Sequence, residues 1–516
     1  MRPSAVATAT TDYLDATLQA TSRPIDARVN RKVFYAAIAA SVVVLYLALS
    51  VGRSLTDGPG CDEGWFANPA FNLITNGRMA TTVLEESNMK MTTGLHQYTY
   101  WIMPANILAQ AAWYKVVGFG LLSMRSLSVL FGLLALAAWF SIMKSLAGDK
   151  RIALLAVALI ALDFAFVRTA STGRMDMMSA ALNFAAWAVY LRTRERNLTL
   201  AILASQAVVV VSGLTHPNGV MGLIGLVFLT LSFDRRDIRP HHFAIAATPY
   251  LIGGACYLLY VAQSFPLFFT QLSGNGGWRF WGLANPLGAI KLEMAERYLS
   301  LSAGGSSYLK LILVMAYAAG ILGAIFTREI RERKGARALL IIAGLLFAYL
   351  TFLEGTKLYL YLIHIAPVYS ALLALWIHHC WMTRRAPRWI IAPAVCGLLL
   401  IHVAGSAYVI ARDSYRNSYL PAVSFLNRSA ARGASITGSA ELGFGLENYN
   451  TLLDDKYLGY YNGRKPDFIV VDTRYQEEHD GVERKQPEIS EHITRLLTVE
   501  YEKVYDRAAY RIYARR

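Results

Sequence analysis

The stretch VFYAAIAASVVVLYLALSV, residues 33–51, decides the fold class of this chain of 516 residues. It contains no charged side chain and has the length of an apolar helix that crosses a bilayer. It is too long for the apolar core of a signal peptide, and the polar segment 1–32 before it is too long for a signal peptide's charged region. We therefore expect a retained first membrane span.

The composition extends this interpretation to most of the chain. Hydrophobic residues make up 55% of the sequence and charged residues only 16%, whereas about 25% is usual in soluble domains. A soluble enzyme, a fibrous protein and a disordered protein are thus excluded. Further apolar runs predict about eleven spans, the others falling near 122–143, 152–167, 177–191, 198–214, 219–233, 243–262, 308–327, 338–353, 358–378 and 389–410.

Basic residues decide on which side each loop lies. The stretch 100–118 is apolar but interrupted by polar residues. If it crossed the membrane, every later loop would lie on the opposite side. If it does not span, 17 Lys and Arg fall within cytoplasmic loops, as membrane proteins prefer. We therefore expect 100–118 to lie along the outer surface or to re-enter the membrane. The cytoplasmic loops are then 144–151, 192–196, 234–242, 328–337 and 384–388.

This topology accounts for the net charge of +15 without a nucleic-acid partner. From residue 412 to the end, 16 basic and 16 acidic residues cancel, so the surplus lies in the membrane part. The predicted fold is mainly α, a polytopic transmembrane helical bundle with a small C-terminal α/β domain outside the cytoplasm. Its predicted parts are a cytoplasmic tail (1–32), a transmembrane domain (33–410) with outer loops 52–121 and 263–306, and a soluble domain (411–516).

Within the C-terminal domain, the sequence predicts helices at 420–429 and 489–497 and strands at 434–438 and 467–472. A strand pair is expected in 499–514. The four cysteines show no metal or redox spacing, and we expect no disulfide framework. We interpret Cys61, beside an acidic pair, as a small packing residue.

That acidic pair, Asp62 and Glu63, opens the first outer loop. Adjacent carboxylates can act as a general base or as ligands of a divalent cation such as Mg²⁺, Mn²⁺ or Ca²⁺. The alternative is a helix cap, with Asp62 facing the free amides of the helix that follows.

Other ionisable residues gather at the outer ends of predicted spans, where burial of charge is costly and asks for a reason. Arg125 opens the second span, and Arg174 and Asp176 open the fourth. They are candidate ligands of an anionic substrate. Alternatively, each arginine reaches a lipid phosphate and the Arg-x-Asp pair is self-paired.

Two more outer turns contribute candidate ligands. His216 lies in a tight turn and either donates to a phosphate or only caps the turn. Lys357, Tyr361 and His364 have helical spacing and are expected to share one face of the tenth span, directed into the bundle. We favour substrate binding for this face. The outer loop 263–306, which carries glycines, tryptophans and Arg279, suits a lid over a site or an interfacial anchor.

A carboxylate base and several cations beside lipid suit group transfer from a lipid-linked phosphate. In these residues the chain, over about 33–410, resembles the polytopic GT-C glycosyltransferases, in particular bacterial relatives of protein O-mannosyltransferases and of the lipid A aminoarabinose transferases. Many members carry His-Pro-Pro-Leu after the acidic helix, where this chain has GLHQY at 94–98. The resemblance rests on Asp62-Glu63, Gly118 with Arg125, Arg174-x-Asp176, His216-Pro217, and Lys357 with Tyr361 and Pro367.

The resemblance implies an inverting transferase in a bacterial cytoplasmic (inner) membrane. Its donor would be a sugar linked to a polyprenyl phosphate, its acceptor an extracytoplasmic glycolipid, polysaccharide or protein, and Asp62 its base. No cofactor is certain, and a divalent cation stays open. A flippase for lipid-linked sugars is the alternative from another class, but the sequence lacks the internal repeats that many transporters carry.

Overall fold

The computed structural model describes residues 24–276, 279–300, 307–447 and 449–516. Residues 1–23 of the predicted cytoplasmic tail lie outside this set. So do residues 277–278 and 301–306 of the predicted long outer loop.

The apolar part of the chain forms α-helices, because a helix satisfies its own backbone hydrogen bonds inside lipid. In chain order they are α1 (Pro24–Thr56), α2 (Cys61–Asn76), α3 (Pro104–Val117), α4 (Leu121–Ala147), α5 (Lys150–Ala161), α6 (Phe164–Ala170), α7 (Met175–Thr193), α8 (Leu198–Thr215), α9 (Val220–Asp234), α10 (Pro240–Val261), α11 (Phe265–Gly276), α12 (Pro286–Leu292), α13 (Ser307–Phe326), α14 (Arg328–Arg331), α15 (Lys334–Ala348), α16 (Ala366–Thr383) and α17 (Arg388–Arg412).

The predicted polytopic bundle is confirmed. Among the described residues, eight helices are long and apolar enough to cross a membrane, or nine if α5 and α6, bent by 65°, form one broken span. The predicted spans 177–191 and 358–378 correspond to α7 and α16, which are largely buried by other helices and do not meet the same criterion. The number of spans stays a prediction. Helix α3, in the stretch predicted not to span, has only 14 residues.

The basic loops meet at one end of the bundle, as expected if they share one side of the membrane. Helix α7 runs from Arg174 at one end to Arg194 at this basic end. The contacts at the basic end are Arg194 with Asp234 (2.6 Å), Lys334 with the Phe233 ring (4.8 Å), Arg385 with Glu329 (2.6 Å) and His378 with Asp149 (3.7 Å).

One prediction for the tenth span is wrong. Lys357, Tyr361 and His364 do not share an α-helical face, because α16 begins only at Ala366. Residues Tyr359–His364 form a 3₁₀ helix, and Lys357 has a left-handed backbone (φ 54°) that breaks the helical path. Pro367 lies in the first turn of α16, where its fixed φ suits a helix start.

The C-terminal part is a small sheet with helices, as predicted. Helix α18 (Leu420–Ser429) has the predicted bounds, and β4 (Tyr501–Arg507) and β5 (Tyr510–Arg515) form the predicted strand pair. The sequence reasoning missed one helix and one very short strand. The remaining elements are β1 (Ile436–Thr437), β2 (Leu452–Leu453), β3 (Phe468–Val471), α19 (Thr473–Lys485) and α20 (Pro487–Arg495), and the sheet order is β2-β1-β3-β5-β4.

Candidate active site

Helix α2 carries the two carboxylates of the first outer loop on different faces. Its start is fixed by the Glu63 side chain, which accepts the backbone N–H of Gly60 at 3.0 Å. The cap of α2 is thus made by Glu63 and not by Asp62. Burial raises the pKa of the neighbouring Cys61 thiol to about 12, in line with a packing residue.

Glu63 and Arg125 form a buried ion pair. The guanidinium of Arg125 donates to both carboxylate oxygens, at 2.8 and 2.7 Å, and each residue is 2% exposed. Glu63 also accepts the N–H of Gly173 at 2.7 Å. The remaining donors of Arg125 are taken by the carbonyls of Ser54, Asp57 and Gly58. Both residues are therefore occupied in joining α1, α2 and α4.

Asp62, unlike Glu63, is partly exposed to solvent. Its side chain is 37% exposed and is paired with Arg174. The Nε of Arg174 donates to Asp176 at 2.8 Å, and Asp176 is fully buried. The Arg-x-Asp pair is therefore self-paired, and Arg174 also reaches across to hold Asp62. The Arg174 guanidinium lies over the ring of Phe66, 5.1 Å from its centre, which fixes its position further.

His216 is a neutral hydrogen-bond donor. Its Nδ1 accepts the backbone N–H of Asn218 at 3.0 Å, so the proton of the neutral ring sits on Nε2. Burial lowers the pKa of His216 to about 4, although Asp176 opposes this shift. The Nε2 faces the hydroxyl of Tyr361 at 3.5 Å. His216 therefore caps the turn with Nδ1, and this leaves its Nε2–H directed towards Tyr361.

The ammonium of Lys357 has all its N–H donors engaged within the protein. Its Nζ donates to three backbone carbonyls at 2.6–2.8 Å, and a lysine has only three N–H donors. It also lies 3.2 Å from the carboxylate of Glu293. Burial lowers the pKa of Lys357, against the attraction of Glu293. The three carbonyls belong to Leu350, Thr351 and Glu354, at the end of the span that begins in α15.

This lysine belongs to a buried group of four charges. Arg297 pairs with Glu293 at 2.8 Å and with Glu354 at 2.7 Å, and all four side chains are at most 4% exposed. Burial alone would raise the pKa of Glu354, but Arg297 and hydrogen bonds from Thr356 hold it below its usual range. The group fastens the long outer loop onto the turn that precedes the tenth predicted span.

A cavity of about 270 Å³ opens beside Asp62, at the end of the bundle opposite the basic loops. Four predicted site residues line it: Asp62, Arg174, His216 and Tyr361. Glu63, Arg125, Asp176, Lys357 and His364 are absent from the described lining. The other lining residues are Trp65, Phe66, Met91, Trp101, Met175, Pro217, Asn275, Arg279, Thr356 and Leu358.

Arg279 is the charged residue of the described lining that the sequence analysis did not place among the ligands. It comes from the long outer loop, where its guanidinium donates to the backbone and side-chain oxygens of Asn275 at 3.2 and 3.1 Å. The available signal was its position as the one cation in the stretch GNGGWRFW, residues 274–281. It brings a positive charge to the wall of the cavity.

His364 lies behind this cavity. It is 1% exposed, and its two ring nitrogens have no hydrogen-bond partner within the described part of the chain. His216 and Asp176 are near enough to act on it electrostatically. Neither His364 nor Asp176 belongs to the described lining of the cavity.

The two adjacent carboxylates do not fit a shared divalent cation. Asp62 faces Arg174, whereas Glu63 faces Arg125 and two backbone amides. Over the described ranges, no group of three or more His, Cys, Asp or Glu side chains could hold a metal ion.

Known structures share this architecture. No family model and no curated protein sequence matches the chain. The crystal structure of ArnT from Cupriavidus metallidurans bound to undecaprenyl phosphate is similar over 94% of this chain and 98% of its own, with 14% identity and a TM-score of 0.61. The oligosaccharyltransferase AglB from Archaeoglobus fulgidus, in complex with an inhibitory peptide and a dolichol-phosphate, is similar over 91% of this chain and 69% of its own, with 13% identity and a TM-score of 0.54. This multi-pass membrane chain therefore has the fold of the polytopic GT-C glycosyltransferases.

Proposed function

We propose that the protein transfers a monosaccharide from a polyprenyl-phosphate-linked donor to an acceptor outside the cytoplasm, with inversion at the sugar. The observation that carries this proposal is the cavity that the partly exposed Asp62 lines together with Arg279 and His216. The structures of similar fold with bound undecaprenyl phosphate or dolichol-phosphate support a lipid phosphate as the donor's carrier.

In this proposal Asp62 is the general base. It accepts the proton of the acceptor hydroxyl while the hydroxyl oxygen bonds to the anomeric carbon from the side opposite the phosphate. The bond between that carbon and the phosphate oxygen breaks, and the polyprenyl phosphate leaves with the electron pair. Arg174 holds the Asp62 carboxylate in position, and its pairing with Asp176 holds Arg174.

Arg279 and the Nε2–H of His216 stabilise the charge that develops on the leaving phosphate. Hydrogen-bond donors held in place by the protein stabilise a developing charge more than donors in bulk water do. Tyr361 adds a hydroxyl beside His216. We assign no phosphate contact to Lys357, whose donors are already taken.

We propose that this end of the bundle and the C-terminal domain face the outside of the cytoplasmic membrane. The basic loops gather at the opposite end, which the charge bias places in the cytoplasm. The acceptor would then be an envelope glycolipid, polysaccharide or protein.

Mass spectrometry of the envelope, with and without the gene, tests this function. Deletion should remove one glycosyl residue from an envelope component, and the polyprenyl-phosphate sugar should accumulate. A transferase defect leaves that lipid on the outer face, whereas a flippase defect leaves it on the inner face. An unchanged set of envelope glycans would contradict the proposed function.

A further inference from the structure

The C-terminal domain is built against the helix that carries Asp62. Trp65, one turn after Asp62, lines the cavity and donates its indole N–H to Asp454 at 2.8 Å. Asn68, on the same helix, donates to the hydroxyl of Tyr449 at 2.8 Å. Helix α2 is thus held from the bundle side by Arg125 and from the other side by the C-terminal domain.

Asp454 is the centre of this contact. It is 4% exposed and receives, besides the indole N–H of Trp65, the backbone N–H of Ala440 at 3.1 Å and the hydroxyl of Tyr475 at 3.0 Å. Arg474 donates to both of its oxygens, at 2.7 and 2.9 Å. The guanidinium of Arg474 also lies over the Trp65 ring, 5.3 Å from its centre. The indole is therefore fixed by a hydrogen bond at its edge and a cation on its face.

The backbones also meet closely at this contact. A Cβ on Gly64 would lie 2.4 Å from the carbonyl carbon of Ala440, so only glycine permits this approach. Strand-like pairing of Leu84 with Asp454 adds a further connection to the first outer loop. A displacement of the C-terminal domain would consequently move Trp65 and the first turn of α2.

We infer that Asp454 and Arg474 are positioning residues for the transfer reaction, acting through Trp65 on the wall of the cavity beside Asp62. This inference rests on the proposed glycosyltransferase function. It makes the C-terminal domain part of the active site, although none of its residues belongs to the described cavity lining. Trp65 and Trp101, with ring centres 6.3 Å apart, offer an aromatic corner of the kind that packs against the apolar face of a sugar.

The test combines complementation of the deletion with binding of undecaprenyl phosphate by the purified full-length protein. Asp454→Leu removes both carboxylate oxygens and keeps a branched side chain of similar shape. We expect transfer to fall ~10- to 100-fold, since small misplacements in an active site have effects of this size. The Kd for undecaprenyl phosphate should change by less than about twofold, because the proposed phosphate donors are untouched. Asp455→Asn, the adjacent buried carboxylate without a contact to α2, is the matched control and should retain transfer.

A double-mutant cycle separates positioning from a general structural role. In a Trp65→Phe background, Asp454→Leu should have little further effect, since the indole N–H is already gone. Equal loss in both backgrounds would overturn the inference, and so would wild-type transfer by Asp454→Leu.

Gly64→Ala, which forces the two backbones apart from the α2 side, covers the case that Asp454→Leu does not fold. It should lower transfer at unchanged Kd for undecaprenyl phosphate, and wild-type transfer by this variant would also overturn the inference. If the wild-type gene itself restores no sugar, the proposed function fails instead. If it does and these variants match it, only the positioning role fails.

Discussion

Asp62 and Glu63 are neighbours in sequence with opposite surroundings. Glu63 is held by Arg125 and two amides in a buried pair, whereas Asp62 reaches the cavity and is held by one arginine. The difference follows from the start of α2, since the third helical residue, Glu63, turns back to accept the backbone N–H of Gly60. A base must be accessible to the acceptor, and only Asp62 meets this requirement.

We expect the isosteric changes Asp62→Asn and Glu63→Gln to separate these roles. Asp62→Asn should fold normally and lose ~10²–10⁴-fold in transfer, the usual effect of removing a general base. Glu63→Gln should leave Arg125 unpaired and destabilise the protein by about 3–5 kcal/mol. Thermal unfolding of the purified variants and envelope mass spectrometry give the two readouts. Near-normal transfer by Asp62→Asn would rule out its role as base.

We expect His216 to make the stability of the fold decrease at acidic pH. Its pKa is lowered by burial from about 6.5 to about 4, so the folded state favours the neutral ring. This contribution to stability is fully present above about pH 6.5 and is lost as the pH falls towards 4, at most about 3 kcal/mol. The unfolding temperature should therefore fall less between pH 7 and pH 4.5 in His216→Asn, whose amide oxygen can still accept the Asn218 N–H. Equal slopes for variant and wild type would contradict this assignment.

At the scale of elements, the sequence indicated where chain segments turn but not how each turn is closed. The sequence spacing of Lys357, Tyr361 and His364 matches that of one face of an α-helix. However, three carbonyls at the end of the preceding helix have no hydrogen-bond donor within that helix, and the Lys357 ammonium donates to them instead. Such capping depends on a left-handed backbone at one residue, which spacing alone does not reveal.

Lys357→Met tests this capping role. We expect lower thermal stability, because three buried carbonyls lose the Lys357 ammonium and Glu293 keeps only Arg297 as a partner. The Kd for undecaprenyl phosphate should stay within about twofold of wild type for the folded fraction. Lys291→Met, an exposed lysine of the long outer loop 263–306, is the control and should change neither quantity. A large loss of lipid binding at unchanged stability would contradict the capping role and indicate that Lys357 binds the phosphate.

The sequence predicted some of the residues that line the cavity but not all of them. Asp62, Arg174, His216 and Tyr361 were found because polar residues at span ends are rare and share one side. Arg279 lies in a loop for which the sequence leaves a lid and an interfacial anchor as alternatives, since nothing in a loop sequence says which cavity the loop lines. Helix α19 was missed because it buries only Tyr475 and Val482, too few to give a helical period.

For the whole molecule, the distribution of basic residues predicted the arrangement of the two ends. Loops far apart in sequence contact one another at one end, as the charge bias indicated, while the cavity lies at the other. The contact between the C-terminal domain and α2 could not be predicted, because it joins residues almost 400 positions apart.

Reporter fusions test the proposed orientation. A reporter after Arg516 should report the non-cytoplasmic side and one inserted at Arg333 the cytoplasm, because basic loops are retained there. The reverse pattern, or the same side for both, would contradict the orientation and the outer location of the cavity.

A structure determined with undecaprenyl phosphate tests the central claim most directly. We predict that the phosphate lies in the cavity beside Asp62, with its oxygens about 2.7–3.2 Å from the Arg279 guanidinium and the Nε2 of His216. The Lys357 ammonium should keep its three carbonyl partners. A phosphate bound elsewhere, with Arg279 and His216 unchanged and the cavity beside Asp62 free of lipid, would contradict the account.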